Sequence, residues 1–155
     1  LGIPFHMLRV DIAGNISKRF SLSGIEIPRY GGACPRWNIY SAFTTPGKIH
    51  AAVSKMSNGE KYVCIAKTVE KGVGRFGKSK SMLSIGLGCE AKYAKDFIYT
   101  ENLNLNDKKT EIPIGVSCRT CDRLDCSQRA FPPLHKKFDV DINSRGVSVY
   151  VGDKS

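Results

Sequence analysis

Three cysteines, Cys118, Cys121 and Cys126, stand at C-x2-C-x4-C spacing in the run I-G-V-S-C-R-T-C-D-R-L-D-C-S-Q-R-A-F-P-P. Thiolates packed this densely are the ligands that soft metals and iron–sulfur clusters select. The spacing suits a disulfide poorly: Cys118 and Cys121 are close enough to bond, but the polar filler between them marks no crosslink. Three thiolates make an incomplete shell. The chain must therefore bring a fourth ligand to this segment from elsewhere.

The remaining composition narrows the setting. The chain has 155 residues, enough for one domain with a real core, and 41% of them are hydrophobic, which argues against disorder. No apolar run approaches the roughly 18 residues of a membrane helix. The opening L-G-I-P-F-H-M lacks the basic flank and apolar stretch of a signal peptide. Six cysteines are modest for a disulfide scaffold of this length, so a reducing cytoplasm is the expected compartment. Lys and Arg exceed Asp and Glu by 24 to 14, a net charge of +10. That excess favours an anionic partner: nucleic acid, a phosphate ester or a membrane surface.

Short strands dominate the pattern. Leu8, Val10 and Ile12 alternate, Ala13-Gly14-Asn15 offers a turn, and 16–20 reads as a return strand. After the turn-rich P-R-Y-G-G-A-C-P-R-W-N, Pro35 opens a short helix through Phe43, which Pro46-Gly47 ends. Residues 49–55 and 61–69 read as strands about a Ser57-Asn58-Gly59 turn, and 82–87 as another. Tyr93 with Phe97, and Ala94 with Ile98, fall at helical spacing after Cys89. Phe138, Val140 and Ile142 alternate ahead of V-S-V-Y-V, which predicts a terminal hairpin. The expected architecture is α+β: a single domain over 1–155 with a mainly antiparallel sheet, a few helices and a Cys-rich cluster-binding segment.

Residues 72–79, G-V-G-R-F-G-K-S, satisfy both G-x-G-x-x-G and the P-loop pattern. A P-loop needs a helix immediately after it, its N-terminus facing the phosphates. The following S-K-S-M-L-S-I-G-L-G carries two glycines and reads as extended. No strand ending in Asp follows to hold magnesium. Nucleotide hydrolysis is not expected, and Arg75, Lys78 and Lys80 remain as simple cations for a ligand phosphate.

For the fourth ligand the sequence offers Cys89, Cys34, His135 and, last, Cys64. Cys89 ends S-I-G-L-G-C at the start of the predicted helix. Exposed N–H groups there would lower a thiol pKa, and Gly86 and Gly88 would let backbone approach a bulky cluster. Cys34, in the glycine-rich G-G-A-C-P-R-W-N, is the second choice. Four thiolates suit zinc as well as iron–sulfur, but a zinc ribbon shows two C-x2-C pairs and this chain has one.

The run 113–133, the S-I-G-L-G-C segment, G-N-I-S-K-R-F-S near the start and G-G-A-C-P-R-W-N together resemble the C-terminal domain of short-chain fatty acyl transcriptional regulators. The resemblance spans roughly residues 7–135. Full-length members carry an N-terminal helix-turn-helix, a middle peptidase-like domain and then this domain. The resemblance implies a non-enzymatic sensor that binds coenzyme A or a short-chain acyl-CoA as effector. It also implies a [4Fe–4S] cluster held by Cys89, Cys118, Cys121 and Cys126. It would reach DNA through a helix-turn-helix domain outside these residues, usually as a homodimer. Coenzyme A is a polyphosphate, so a basic pocket is required. Lys18, Arg19, Arg75 and Lys78 are the expected phosphate contacts, and Trp37 a surface for adenine or acyl groups. The alternative is an iron–sulfur or zinc-containing nucleic-acid-binding module using the same charge. Scattered basic residues weaken it. An enzyme ranks third: the D-x-D of Asp139 and Asp141 falls on one solvent-facing side of a strand.

Overall fold

The computed structural model describes residues 2–72, 76, 80–101, 103–105 and 107–135. The P-loop-like cations Arg75 and Lys78, the pair Asp139 and Asp141, and the expected terminal hairpin lie outside the described residues. Six strands form one mixed sheet: β1 (Phe5–Asp11), β2 (Ile16–Ser21), β3 (His50–Lys55), β4 (Lys61–Lys71), β5 (Ser81–Glu90) and β6 (Glu111–Pro113), ordered β2-β1-β5-β4-β3-β6. Every neighbouring pair is antiparallel except β3 with β6, which is parallel. The single α+β domain with a mainly antiparallel sheet is thus observed. One helical turn, α1 (Asn38–Ser41), runs into a 3-10 turn at Ala42–Thr44, a shorter helix than the pattern suggested.

Side-chain alternation gives the sheet two unlike faces. On the inner face His6, Leu8 and Val10 of β1 stand beside Ser84, Gly86 and Gly88 of β5 and Cys64 and Ala66 of β4. The 22–45 segment covers this face, and Ile25, Trp37 and Ile39 join its core. Close approach requires glycine: a Cβ on Gly86 would stand 3.1 Å from Ile39 Cδ1, and one on Gly88 only 2.5 Å from His6 Nε2. Polar bonds fix the cover. Ser84 Oγ donates to the Ile39 carbonyl at 2.6 Å, and Asn38 Nδ2 donates to the Cys64 carbonyl at 3.0 Å.

On the outer face, among the described residues, one end is covered. Val53 and Val63 pack with Ala94, Leu103 and Leu105 of the segment after β5. That segment is not the predicted α-helix. It forms 3-10 turns at Ala91–Asp96 and Ile98–Thr100, separated by Phe97 in extended conformation (φ −105°, ψ 112°). The Thr100 hydroxyl closes the turns by donating to the carbonyls of Ala94 and Phe97. The helical spacing of Tyr93 and Phe97 was therefore overridden by local side-chain-to-backbone bonding and by packing on the strands. β5 also begins at Ser81, so the glycine-rich 72–79 connection leads from strand to strand and opens no helix. No helix among the described residues is long and apolar enough to cross a membrane.

Burial of His6 makes stability depend on pH. Desolvation lowers its pKa from 6.5 to about 4; Nδ1 lies 2.8 Å from Ser23 Oγ and Nε2 3.5 Å from Cys64 Sγ. Because the folded pKa is depressed, the unfolded chain binds the proton first. The neutral ring's contribution is complete above pH 6.5 and is lost as pH falls toward 4. The loss should approach about 3 kcal/mol at the acid end. Urea unfolding across this window should show falling stability, and His6→Gln should flatten the slope.

Candidate functional site

The C-x2-C-x4-C segment folds as a loop hung on the end of the sheet. β6 sets its starting point, because the Ile114 N–H continues the pairing to the Lys55 carbonyl at 2.9 Å. A 3-10 turn at Cys118–Thr120 follows. Arg129 then ties the loop from inside. Its buried guanidinium donates to the carbonyls of Cys118 at 2.9 Å and Cys121 at 3.2 Å, and also to that of Arg123. One cation thus bonds three carbonyls of the irregular loop, and that of Cys118 also accepts the Cys121 N–H at 3.4 Å.

Cys34 is brought to the same place from the other direction. Its N–H donates to the Val116 carbonyl at 3.0 Å, and Trp37 Nε1 donates to the Gly115 carbonyl at 2.8 Å. The two connections zip the G-G-A-C-P-R-W-N turn onto residues 115–116. Cys34, Cys118, Cys121 and Cys126 consequently line one cavity, with Arg36, Arg123 and Arg129 around it. All four thiols are free. Among the described residues no three His, Cys, Asp or Glu side chains converge closely enough to hold a single ion. The cavity that the four thiols line is small, about 10 Å3.

Several groups are already aimed at this space. The Ala130 N–H donates to Cys118 Sγ at 3.4 Å. Burial pushes the Cys34 thiol pKa up, the N–H groups of Gly115 and Arg36 pull it back, and Cys118 and Cys121 nearby push it up again. Arg123 Nε is buried with no hydrogen-bond partner among the described residues. A side chain on Gly115 would stand 3.1 Å from Cys121 Sγ, so glycine there leaves the sulfur its room.

A trough adjoins the cavity. Its deeper part, about 710 Å3, is lined by Gly14, Ala33, Tyr40, Cys118, Arg119 and Phe131, among others. Arg119 stacks over the Phe131 ring at 4.4 Å and stiffens that wall. Its outer part, about 460 Å3, is bordered by Lys18, Arg19 and Arg29 and by no acidic residue. The two parts meet at Asn15, Tyr30 and Gly31. Cys118 borders both the trough and the thiol cavity.

Residues 1–150 match the model of the family described as short-chain fatty acyl coenzyme A regulator, C-terminal. The chain belongs to this family. It is 44% identical over 152 residues to the HTH-type transcriptional regulator RamB of Mycobacterium tuberculosis, covering 97% of this chain and 32% of that protein. It is 43% identical over 149 residues to the propionyl-CoA carboxylase regulator of Cereibacter sphaeroides, covering 96% of this chain and 32% of that one. A solved structure of a Mycobacterium tuberculosis transcriptional regulator superposes with a TM-score of 0.85 at 39% identity, covering 94% of this chain and 44% of that chain. The chain thus spans about a third of the length of the curated relatives it matches.

Of the four cysteines that the sequence reading expected to act together, Cys118, Cys121 and Cys126 line this cavity and Cys89 does not; Cys34, its second choice, does. Cys89 is not at a helix start: it is the penultimate residue of β5, pairs with Phe5 and Val63, and belongs to the outer face. Burial pushes its pKa up, and Glu90 and Asp96 push it further. The strand's period of two therefore removes Cys89 from the cavity side. Cys64 is on the inner face, but beside His6, and burial raises its pKa to about 12. His135 lies 2.7 Å from Asp122 at the surface and does not line the cavity. Trp37 is a buried core residue that braces Gly115, and it offers no ligand surface. Lys18 and Arg19 do border the trough, together with Arg29, Tyr30 and Tyr40, which the sequence reading missed. Their only signal was position beside the G-G turn.

The Arg129 hub should be sensitive to charge removal. Arg129→Met removes a charged donor from three carbonyls inside the loop, of which, among the described residues, only that of Cys118 keeps a backbone donor. It should cost about 3 kcal/mol of unfolding free energy, the scale of losing buried charge-assisted bonds. Arg129→Lys should recover only part, because one ammonium cannot span the three acceptors. Denaturant titration of the two variants measures both effects.

Proposed function

We propose that this domain is the effector-sensing part of a longer transcriptional regulator. It binds a short-chain acyl-coenzyme A in the trough and holds a [4Fe–4S] cluster on Cys34, Cys118, Cys121 and Cys126. The observation that carries the proposal is the convergence of four free thiols from two distant segments on one cavity whose wall is shared with the trough.

One C-x2-C pair followed by a third cysteine is a pattern closer to an iron–sulfur site than to the two C-x2-C pairs of a zinc ribbon. A tetrahedral zinc with bonds of about 2.3 Å would need its sulfurs about 3.8 Å apart. Such a tight group is absent among the described residues. Four thiolates bring four negative charges, and the three arginines lining the cavity partly offset them. The Ala130 N–H and the unpartnered Arg123 Nε are donors of the kind that tune cluster sulfurs. A cluster here supplies a crosslink between the Cys34 turn and the 118–126 loop that oxidation can remove.

The trough suits the ligand by parts. Lys18, Arg19 and Arg29 present cationic donors for the phosphates. Ala33, Tyr40 and Phe131 offer apolar surface for a short acyl group. The family's description as a short-chain fatty acyl coenzyme A regulator supports this reading of the ligand class, and a relative named as a helix-turn-helix regulator supports the regulatory role. Contact with DNA then belongs to another part of the full protein, and the described residues serve to report effector occupancy to it.

Anaerobically prepared protein should be brown, with about four irons per chain. Cys34→Ser and Cys121→Ser should lose the iron and, since metal binding is coupled to folding, much of the thermal stability. Cys89→Ser should keep both. Iron retained in Cys34→Ser but lost in Cys89→Ser would overturn the ligand set, and stoichiometric zinc in colourless protein would overturn the cluster.

Calorimetry of the loaded domain should detect binding of acetyl-, propionyl- and butyryl-coenzyme A. Affinity should rise by about 0.8 kcal/mol per buried methylene until the pocket is full. Salt should weaken it, and Arg29→Ala should lower both the affinity and its salt dependence. No heat with any of these ligands, alongside salt-sensitive binding of duplex DNA by the domain itself, would replace this reading with nucleic-acid recognition.

A further inference from the structure

Among the described residues, nothing packs on most of the sheet's outer face. Phe5 is 42% exposed, Phe20 44%, Leu22 63%, Leu87 38% and Val69 38%. These are not scattered residues. Phe20 pairs with Met7, Met7 with Leu87, and Leu87 with Ile65, so one row of large apolar side chains crosses β2, β1, β5 and β4. The Phe5 and Phe20 rings lie 5.3 Å apart within it. Antiparallel sheets normally present polar side chains on a solvated face. An apolar row spanning four strands marks a surface that another body covers.

Where the row meets the chain's first residues it deepens into a groove of about 900 Å3. Ile3, Pro4, Phe5, Leu22, Leu87 and Phe97 line it. The polypeptide therefore enters the domain along this groove. The matched family is described as the C-terminal part of its regulators, and the curated relatives are about three times as long as this chain. In such a regulator the preceding polypeptide arrives at this groove.

We infer that the outer face, from the groove across Phe20, Leu87 and Val69, is the docking surface for the part of the full regulator that precedes this domain. A second copy of this domain fits the face less well. The chain carries +10, and Arg9 and Lys67 lie on the outer side of β1 and β4, both beside Ile85 of β5 in the row next to the apolar one. Across a two-fold axis those cations would oppose their own copies. An unlike domain carries no such penalty. The inference rests on the longer-regulator part of the proposed function and uses neither the cluster nor the acyl-coenzyme A.

Hydroxyl-radical labelling read by mass spectrometry tests it without ligand or DNA. Phe5, Phe20 and Leu87 should be labelled strongly in the 155-residue chain at every protein concentration. In the full-length regulator their labelling should fall several-fold, while exposed Tyr30 on the trough side keeps its level. Leu87→Glu in the full-length protein should restore labelling of Phe5 and Phe20 and speed proteolysis between the domains. Leu22→Glu, at the rim, provides the same readout should Leu87→Glu fail to fold. Equal labelling in the two proteins would overturn the inference. So would labelling of the 155-residue chain that declines with concentration as its mass doubles, since a second copy would then be the occupant. Neither result bears on acyl-coenzyme A binding, which calorimetry decides separately.

Discussion

Side-chain alternation along β5 governs most of this structure. Ser84, Gly86 and Gly88 face inward and are small, so α1 and His6 can sit directly on the strand. That close packing draws the 22–45 segment over the inner face, and Trp37 then reaches Gly115 and holds Cys34 against Val116. The thiol cavity is thus a downstream consequence of having no bulk on one side of β5. Leu83, Ile85, Leu87 and Cys89 fall on the opposite side by the same alternation. A larger residue at Gly88 would meet His6 Nε2 and Cys64 Sγ and push on the whole cover.

The sequence disclosed what local pattern can disclose. C-x2-C-x4-C marked the loop that lines the thiol cavity, alternation gave β1 to β5 to within a few residues, and a cluster of segment likenesses pointed to the family. The fourth thiol was another matter. Cys34 and Cys89 both sit among glycines, and composition cannot choose between them. The choice is made by which face of a strand the residue occupies and by two long-range bonds, Cys34 to Val116 and Trp37 to Gly115. Such bonds join residues some 80 apart and leave no trace in spacing. Trp37 misled for the same reason: an indole that braces a backbone carbonyl reads like one free to stack on a ligand. The 91–100 segment shows a helical period but lacks any side-chain cap, and β5 runs through Glu90 into the expected first turn.

Arginine takes the role that regular secondary structure plays elsewhere. Residues 114–135 contain no strand and no α-helix, only a 3-10 turn, so many backbone carbonyls face inward without a ladder to join. Arg129 meets three of them, and Arg123 Nη2 lies near those of Lys55 and Ile114. A planar fork of five donors suits this work, and an ammonium does not. The same guanidinium groups make the cavity electropositive. Structural bonding and the positive charge beside the thiols therefore come from one set of side chains.

The cavity and the trough share a wall. Cys118 borders both spaces, its sulfur accepts the Ala130 N–H, and Phe131 next along the chain forms the trough wall under Arg119. A cluster that fixes Cys118 also fixes the wall against which an acyl group would rest. Linkage requires the converse: whatever free energy a cluster contributes to ligand binding, the ligand returns to cluster retention. A short path of this kind, one residue from thiol to wall, needs no long relay. It requires only that the 118–131 loop have two arrangements which the two occupants weigh differently. The loop's carbonyls are held by guanidinium donors of Arg123 and Arg129 in place of a strand ladder.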